Sequence, residues 1–212
     1  MASLTAVATL GADGGMTIMV EETITVEDLI ELSEAYPLLR FELSPEGTIE
    51  ATTTPRSRHN GIIAELMFWL HEHIPSAKRQ LQQDSGVQVH QDGLTGYRSP
   101  DLMLFDKQPP EDEVYLDPSL VLLVVEVVSS STKAIDFEKK VVEYAASGIP
   151  HYWIVDAKEN VWLHRLDPAT RRYHQYDTTV IAFSDLITRD PNQLLADLGE
   201  PMTEPAPDEP TA

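Results

Sequence analysis

One acidic residue lies inside the most apolar segment of the chain. Glu126 interrupts the run Leu120–Val128, in which every other residue is apolar. A buried carboxylate without a partner costs several kcal/mol of folding free energy, or it binds a proton. We therefore expect a cation or hydrogen-bond donors beside Glu126, although a strand-end position in contact with water or an arginine would also explain it.

A second carboxylate stands at the start of another apolar segment. Asp101 follows Pro100 and precedes the apolar residues Leu102–Phe105. Aspartate is common in loops at strand ends, so this residue alone indicates little. On neighbouring strands, however, Asp101 and Glu126 would form an oxygen-rich, partly hydrated site of the kind that Mg²⁺ prefers. The pair therefore predicts a metal site.

The segment after Glu126 repeats polar residues at intervals of four. Asp136, Lys140 and Tyr144 would therefore lie along one face of a helix. Lys139 competes with Lys140, because both lysines flank the apolar arc of this helix and the periodicity does not separate them. A solvated ion pair between Asp136 and Lys140 is the commoner meaning of such spacing, and it contributes little to stability.

Hydrophobic periodicity and turn residues predict the elements that must position these side chains. In chain order they are a helix over 26–36 capped by Thr25, a hairpin of strands at 40–43 and 48–54, a helix over 58–74, strands at 87–89, 100–105 and 120–128, a helix from about 132 to 147, strands at 151–155, 161–166 and 172–176, and a short helix within 186–198. This order describes an α/β fold with a mixed central sheet flanked by helices. One domain is expected at 21–198, between a mobile N-terminal segment at 1–20 and a disordered acidic, proline-rich tail at 199–212.

The composition excludes several classes of protein. The 212 residues include no cysteine, which excludes disulfides, thiolate zinc sites and a cysteine nucleophile. No apolar run is long enough to span a membrane, and the first residues lack the pattern of a secretory signal, so we expect a cytoplasmic protein without a membrane partner. The 35 acidic and 15 basic residues give a net charge of −20, which disfavours general attraction to polyanions.

Five short motifs follow one another between residues 22 and 187. They are Phe41–Gly47, Arg58–His59, Arg98–Asp101, Val125–Thr132 and Asp136–Asp156. In this order they resemble the motifs of the Uma family of restriction-endonuclease-like proteins, a branch of the PD-(D/E)XK nuclease superfamily. The resemblance implies a mixed central β-sheet flanked by α-helices, with an N-terminal helix and a β-hairpin, which agrees with the predicted elements.

The resemblance also implies a catalytic site. It makes Asp101 and Glu126 the ligands of Mg²⁺ or Mn²⁺. The usual lysine of the superfamily lies two residues after the second acid, where this chain has Val128. The spacing of the Uma branch instead implies Lys140 as the catalytic lysine, on the helix that follows.

Further residues receive roles from the same resemblance. Glu42 in the hairpin matches an additional acidic catalytic position, and Glu65 on the following helix is its rival. Asp136 and Tyr144 would hold Lys140 in place. Several basic residues near the motifs would contact phosphates or would only solubilise the surface: Arg56, Arg58, Lys78, Arg79 and Arg98.

The activity implied is metal-dependent hydrolysis of phosphodiester bonds in DNA, by an enzyme that we expect to act as a homodimer. A non-cleaving interaction or regulatory module that retains the nuclease fold would explain the acidity better. A hydrolase of smaller phosphoesters is a third hypothesis. For the endonuclease, we expect Lys140→Ala to abolish cleavage and to leave folding nearly intact.

Overall fold

Strands outnumber helices in the computed structural model, which describes residues 6–10, 16–20, 24–53, 57–74, 80–129, 132–175 and 180–196. The strands are β1 (Ala6–Leu10), β2 (Met16–Val20), β3 (Leu39–Leu43), β4 (Thr48–Thr53), β5 (Gln80–Gln83), β6 (Gly86–Gln91), β7 (Leu94–Arg98), β8 (Leu102–Phe105), β9 (Tyr115–Leu116), β10 (Val121–Val127), β11 (His151–Val155), β12 (Asn160–Asp167), β13 (Arg172–Gln175) and β14 (Ile181–Ala182). The helices are α1 (Val26–Ala35), α2 (Ser57–His73), α3 (Lys140–Ala146), α4 (Phe183–Leu186) and α5 (Pro191–Ala196). A π-helical turn, Ile135–Lys139, leads into α3.

The strands form two mixed sheets. The N-terminal sheet has the order β1-β2-β4-β3-β7-β6-β9, and the central sheet has the order β13-β12-β11-β10-β8-β5, with β14 beside β12. In the central sheet, β10 and β11 are parallel and are connected through α3. The predicted mixed sheet with flanking helices is confirmed. The predicted hairpin of β3 and β4 belongs to the N-terminal sheet.

Strand β10 lies between β8 and β11 and is covered on both faces, as its continuous apolar sequence predicts. Leu123, Val125 and Val127 pack into the same core as α2. Val124 and Val128 face the opposite core, which also contains residues of β6 and α3. Side chains alternate along a strand, so Glu126 lies on the face of Val124 and Val128.

Helix α1 begins and ends where the sequence predicts. The side chain of Thr25 accepts a hydrogen bond from the backbone of Asp28, and the side chain of Asp28 accepts one from the backbone of Thr25. This reciprocal cap fixes the first turn. The following hairpin turns at Gly47, whose φ of +86° is a conformation that glycine adopts without strain.

Six strands lack a counterpart among the predictions: β1, β2, β5, β7, β9 and β14. Strand β5 is Gln-Leu-Gln-Gln and β7 contains Gly96, so neither shows the alternation or β-branched composition typical of strands. Strands β1 and β2 fall within the first 20 residues, where we predicted no regular structure. The tail from residue 199 lies outside the described residues, and the division of the chain at 21 and 198 stays a prediction.

The helix after β10 is less regular than predicted. The backbone N–H of Lys140 donates to the carbonyl of Ile135, five residues earlier, instead of four. Single π turns of this kind occur frequently at functional sites. Within the described ranges, no helix is long and apolar enough to cross a membrane.

Candidate active site

Lys140 is buried among three carboxylates. Its Nζ lies 2.9 Å from Glu126 Oε1, 3.1 Å from Glu42 Oε2 and 3.3 Å from Asp136 Oδ1. Burial alone would lower the pKa of Lys140, but the negative charges of Glu126, Glu42 and Asp136 raise it well above its ordinary value. The ammonium group is therefore held in its charged form.

Three elements bring these side chains together. Glu126 comes from β10, Glu42 from β3 of the other sheet, and Asp136 and Lys140 from the π turn and the start of α3. The neighbouring Lys139 contacts a different carboxylate: its side chain is 42 % exposed and its Nζ lies 2.8 Å from Glu50 Oε1. The geometry thus separates the two lysines, which the helical periodicity did not.

Glu126 accepts two hydrogen bonds on one oxygen. Lys140 Nζ and the Tyr144 hydroxyl each lie 2.9 Å from Oε1, and no described residue donates to Oε2. Burial raises the pKa of Glu126 well above its usual range, the charge of Lys140 opposes this, and the charges of nearby carboxylates add to it. Among the described residues, the second oxygen of Glu126 therefore has no donor, in a site with too little positive charge.

Asp101 lies beside Glu126 because β8 and β10 are paired, with Leu102 opposite Val125. Its Oδ2 accepts the backbone N–H of Val127 at 2.8 Å and contacts His59 Nε2 at 3.0 Å, while its Oδ1 accepts from Arg40 Nη1 at 3.0 Å. Burial raises the pKa of Asp101, but His59, Arg40 and the Val127 N–H overcome it, so that the pKa is lowered. Asp101 is thus held as a carboxylate.

Arg98 forms a second ion-pair centre next to the first. It is fully buried and donates to both oxygens of Glu143 at 2.6 Å, to Glu50, and to Glu42 Oε2 at 3.3 Å. Glu42 therefore joins the two centres, because it also binds Lys140. The expectation that Arg98 contacts phosphates is wrong, since its guanidinium is enclosed by carboxylates.

Together these groups form what we call the acidic cluster. It comprises six buried carboxylates: Glu42, Glu50, Asp101, Glu126, Asp136 and Glu143. Two buried cations, Lys140 and Arg98, and two more exposed ones, Arg40 and Lys139, pair with them. Carboxylates therefore outnumber these lysines and arginines, and burial with too little compensation raises the pKa of Asp136 as well. An additional cation would relieve this imbalance.

The donor set fits a divalent cation. Asp101 and Glu126 supply hard oxygen ligands on adjacent strands, and Mg²⁺ commonly binds through one or two carboxylates while it keeps several waters. Across the residues that the structure describes, no three His, Asp or Glu side chains converge closely enough to hold an ion by themselves. The fit is thus that of a partly hydrated ion.

The structure brings together all six residues selected from the sequence: Asp101, Glu126, Lys140, Glu42, Asp136 and Tyr144. The rival Glu65 is exposed on α2. Sequence reasoning missed Arg40 and His59 as partners of Asp101. Arg40 carried one usable signal, because it lies two residues before Glu42 on a predicted strand and therefore on the same face.

A mixed sheet between helices, with two acids and a lysine at its centre, defines a restriction-endonuclease-like protein. The family model named Uma2, described as "Putative restriction endonuclease", matches residues 26–193, and the chain therefore belongs to the Uma2 family. A crystal structure from Anabaena variabilis, described as "a putative nuclease belonging to DUF820", is 16 % identical, with a TM-score of 0.55 over 78 % of this chain and 98 % of that one. Both descriptions are of nucleases. A comparison with curated proteins found no match.

Proposed function

We propose that the protein is a metal-dependent endonuclease that hydrolyses phosphodiester bonds of DNA. The observation that carries this proposal is the buried Lys140, 2.9 Å from Glu126 and set among carboxylates that outnumber the cations around them. A purely structural ion pair would be balanced in charge, because each uncompensated buried charge costs folding free energy. The imbalance supports a site that is completed by a cation.

Asp101 and Glu126 are the proposed metal ligands, for Mg²⁺ or Mn²⁺. Such an ion lowers the pKa of a bound water and neutralises charge on a phosphate. Asp101 is suited to this role because its pKa is lowered, so that it stays ionised. Glu126 is suited because its Oε2 has no described donor.

Lys140 acts electrostatically in this proposal. Its pKa is raised well above the ordinary value, so it carries a proton at neutral pH and cannot serve as a general base. Instead it orients the attacking water and opposes the negative charge that develops on the phosphate. The ion pairs with Glu42 and Asp136 hold the ammonium group of Lys140 in place, and the hydrogen bond from the Tyr144 hydroxyl holds the carboxylate of Glu126.

A non-cleaving interaction module is the second candidate. Two observations favour it: the net charge of −20, and the engagement of both Asp101 oxygens by groups of the protein itself. Such a module needs no cation, and its carboxylates would serve to fix the two sheets against α3. The two candidates differ in whether the acidic cluster binds a metal.

Calorimetric titration of Mg²⁺ and Mn²⁺, with plasmid nicking on the same samples, tests the proposal. The variants are Glu126→Gln and, as a matched control, Glu65→Gln, which makes the same change at an exposed position of α2. We expect saturable binding and nicking in the wild type and in Glu65→Gln, and loss of both in Glu126→Gln. A folded wild type without either property would favour the interaction module, and cleavage of small phosphodiesters alone would favour the third hypothesis.

A further inference from the structure

Arg40 occupies the oxygen of Asp101 that is not bound by the sheet. The Val127 N–H and His59 both contact Oδ2, whereas Arg40 Nη1 contacts Oδ1 at 3.0 Å. A divalent cation that approached Asp101 on this side would meet a guanidinium already there. Two cations on one carboxylate repel each other, so binding of the ion weakens the hold on Arg40.

The remaining contacts of Arg40 are an ion pair with an exposed carboxylate and one long, part-buried hydrogen bond. Its other amino group pairs with Asp84, whose side chain is 56 % exposed, and Nη1 also lies 3.4 Å from the carbonyl of Ser99. Exposed ion pairs contribute little to stability. The side chain of Arg40 itself is 27 % exposed and lines an open groove, so there is open space beside it into which it can move.

Arg40 also lines an open groove of about 780 Å³. The groove lies between the end of α1, the turn before β6 and the segment around Tyr115, and it includes the amides of Asn60 and Gln83. Among the described residues that line it, Arg40 is the one cation, and Asp84 and Glu113 are acidic. While Arg40 is paired with Asp101 and Asp84, the groove offers no free positive charge to an anion.

We propose that Arg40 exchanges between Asp101 and a phosphate group: it holds Asp101 in the metal-free protein, leaves it when a divalent cation binds, and then binds a backbone phosphate of a nucleic-acid strand in this groove. The inference rests on the proposed function and adds a residue that positions Asp101 and a phosphate subsite beside the metal. Arginine suits this subsite because its planar guanidinium binds phosphate through two parallel hydrogen bonds.

The exchange couples the two ligands. A bound metal ion frees the guanidinium of Arg40 from Asp101, so that phosphate binds more tightly. By linkage, a bound phosphate strengthens metal binding by the same factor. The coupling also explains how a chain of net charge −20 would take up an anionic strand: the site would be attractive only after the ion has bound.

The test measures coupling with Ca²⁺ and a 5′-phosphorylated thymidine dinucleotide as the probes. Calorimetry gives the affinity of wild type, Arg40→Gln and Arg58→Gln for each probe, alone and in the presence of the other. Arg58 is one of the candidates for a phosphate contact near the motifs, but in the structure it is 65 % exposed, pairs with Glu159 and is not among the described residues that line the groove. Arg58→Gln is therefore the matched control. A thermal melt of each variant checks that it folds. If Arg40→Gln does not fold, Arg40→Lys, which keeps the positive charge, takes its place.

For wild type and Arg58→Gln we expect the dinucleotide to bind about tenfold more tightly with Ca²⁺ than without it. In Arg40→Gln we expect Ca²⁺ alone to bind more tightly than in Arg58→Gln, and the coupling to fall below about threefold. Arg40→Lys should retain part of the coupling, because an ammonium binds phosphate as a point charge. Equal coupling in Arg40→Gln and Arg58→Gln would overturn the inference.

Plasmid cleavage with Mn²⁺ separates this failure from failure of the proposed function. If the wild type nicks plasmid while Arg40→Gln keeps wild-type coupling, the endonuclease proposal stands and the role of Arg40 is wrong. If the wild type neither nicks plasmid nor binds Mn²⁺ or Ca²⁺, both are wrong.

Discussion

Replacement of Lys140 by methionine tests whether the acidic cluster depends on this charge for its stability. Methionine keeps much of the buried volume but leaves Glu126, Glu42 and Asp136 without their shared cation. Removal of one partner from a buried ion pair costs about 3–5 kcal/mol. That is a large part of the ~5–15 kcal/mol by which domains are stable. Because Lys140 is buried, we expect a clear loss of stability in place of the nearly intact folding that the sequence alone predicts for Lys140→Ala.

The size of the loss depends on pH in a defined direction. Without Lys140, the pKa values of Glu126 and Asp136, which burial already raises, rise further, and the pKa of Glu42 loses the charge that helps to lower it. The folded variant then binds more protons than the unfolded chain does, so its free energy of unfolding falls as pH rises above the ordinary glutamate pKa of 4.5. The deficit of Lys140→Met relative to wild type should therefore be smaller at pH 5 than at pH 7.

Urea unfolding followed by the fluorescence of the buried Trp69 and Trp153 measures these differences. Lys139→Met is the matched control, with an expected loss of about 1 kcal/mol, because Lys139 is partly exposed and its partner Glu50 keeps its ion pair with Arg98. Adding Glu126→Gln to Lys140→Met should recover about 1–2 kcal/mol, since it removes a stranded charge. The reasoning fails if Lys140→Met costs no more than Lys139→Met, or if the two changes at 126 and 140 are additive.

Three further predictions concern parts of the fold outside the cluster. Gly96→Ala should lower the free energy of unfolding by about 1–3 kcal/mol, because its Cβ would lie 2.5 Å from the carbonyl oxygen of Leu43 and push β7 from β3; unchanged urea unfolding would contradict this. Gly61→Ala, in α2 with nothing within 4 Å of the new Cβ, should instead stabilise by about 0.5–1 kcal/mol, and a loss in the same assay would refute it. Burial lowers the pKa of His151 from 6.5 to about 4. As the pH drops from 6.5 to 4, the unfolded chain therefore binds this proton before the folded chain does, and the free energy of unfolding falls by roughly 3 kcal/mol. His151→Gln should remove this part of the pH dependence, and His174→Gln, at an exposed position, should keep it.

The fold could be predicted wherever local pattern and final environment agree. The β-branched run of β10, the Thr25 cap of α1 and the apolar face of α2 each determine one outcome, and the structure has each of them. Strands β5 and β7 could not be predicted, because they are held by pairing with β8 and with β3 and β6. Such pairing is a property of the assembled sheet, and no local segment carries it.

The same division applies to the site. Glu126 was visible because it breaks an apolar pattern. Periodicity did not separate Lys140 from Lys139, the family resemblance selected Lys140, and the packing gives the two lysines different partners. Glu50 and Glu143 look like ordinary surface residues in sequence, since nothing local shows that they enclose Arg98. A buried ion-pair network joins elements distant in the chain, so it becomes recognisable only when both sheets and α3 are in place.

The net charge of the chain and the charge of the acidic cluster have different consequences for binding of DNA. The six carboxylates of the cluster are paired with four lysines and arginines, so the cluster accounts for only about two of the twenty excess negative charges. The rest are distributed over the remainder of the chain, where salt screens them beyond about 10 Å at 0.1 M ionic strength. In the proposed endonuclease, uptake of an anionic strand therefore depends on the charge within about 10 Å of Asp101 and Glu126. A divalent ion that reverses the local sign there would matter more than the sign of the whole molecule.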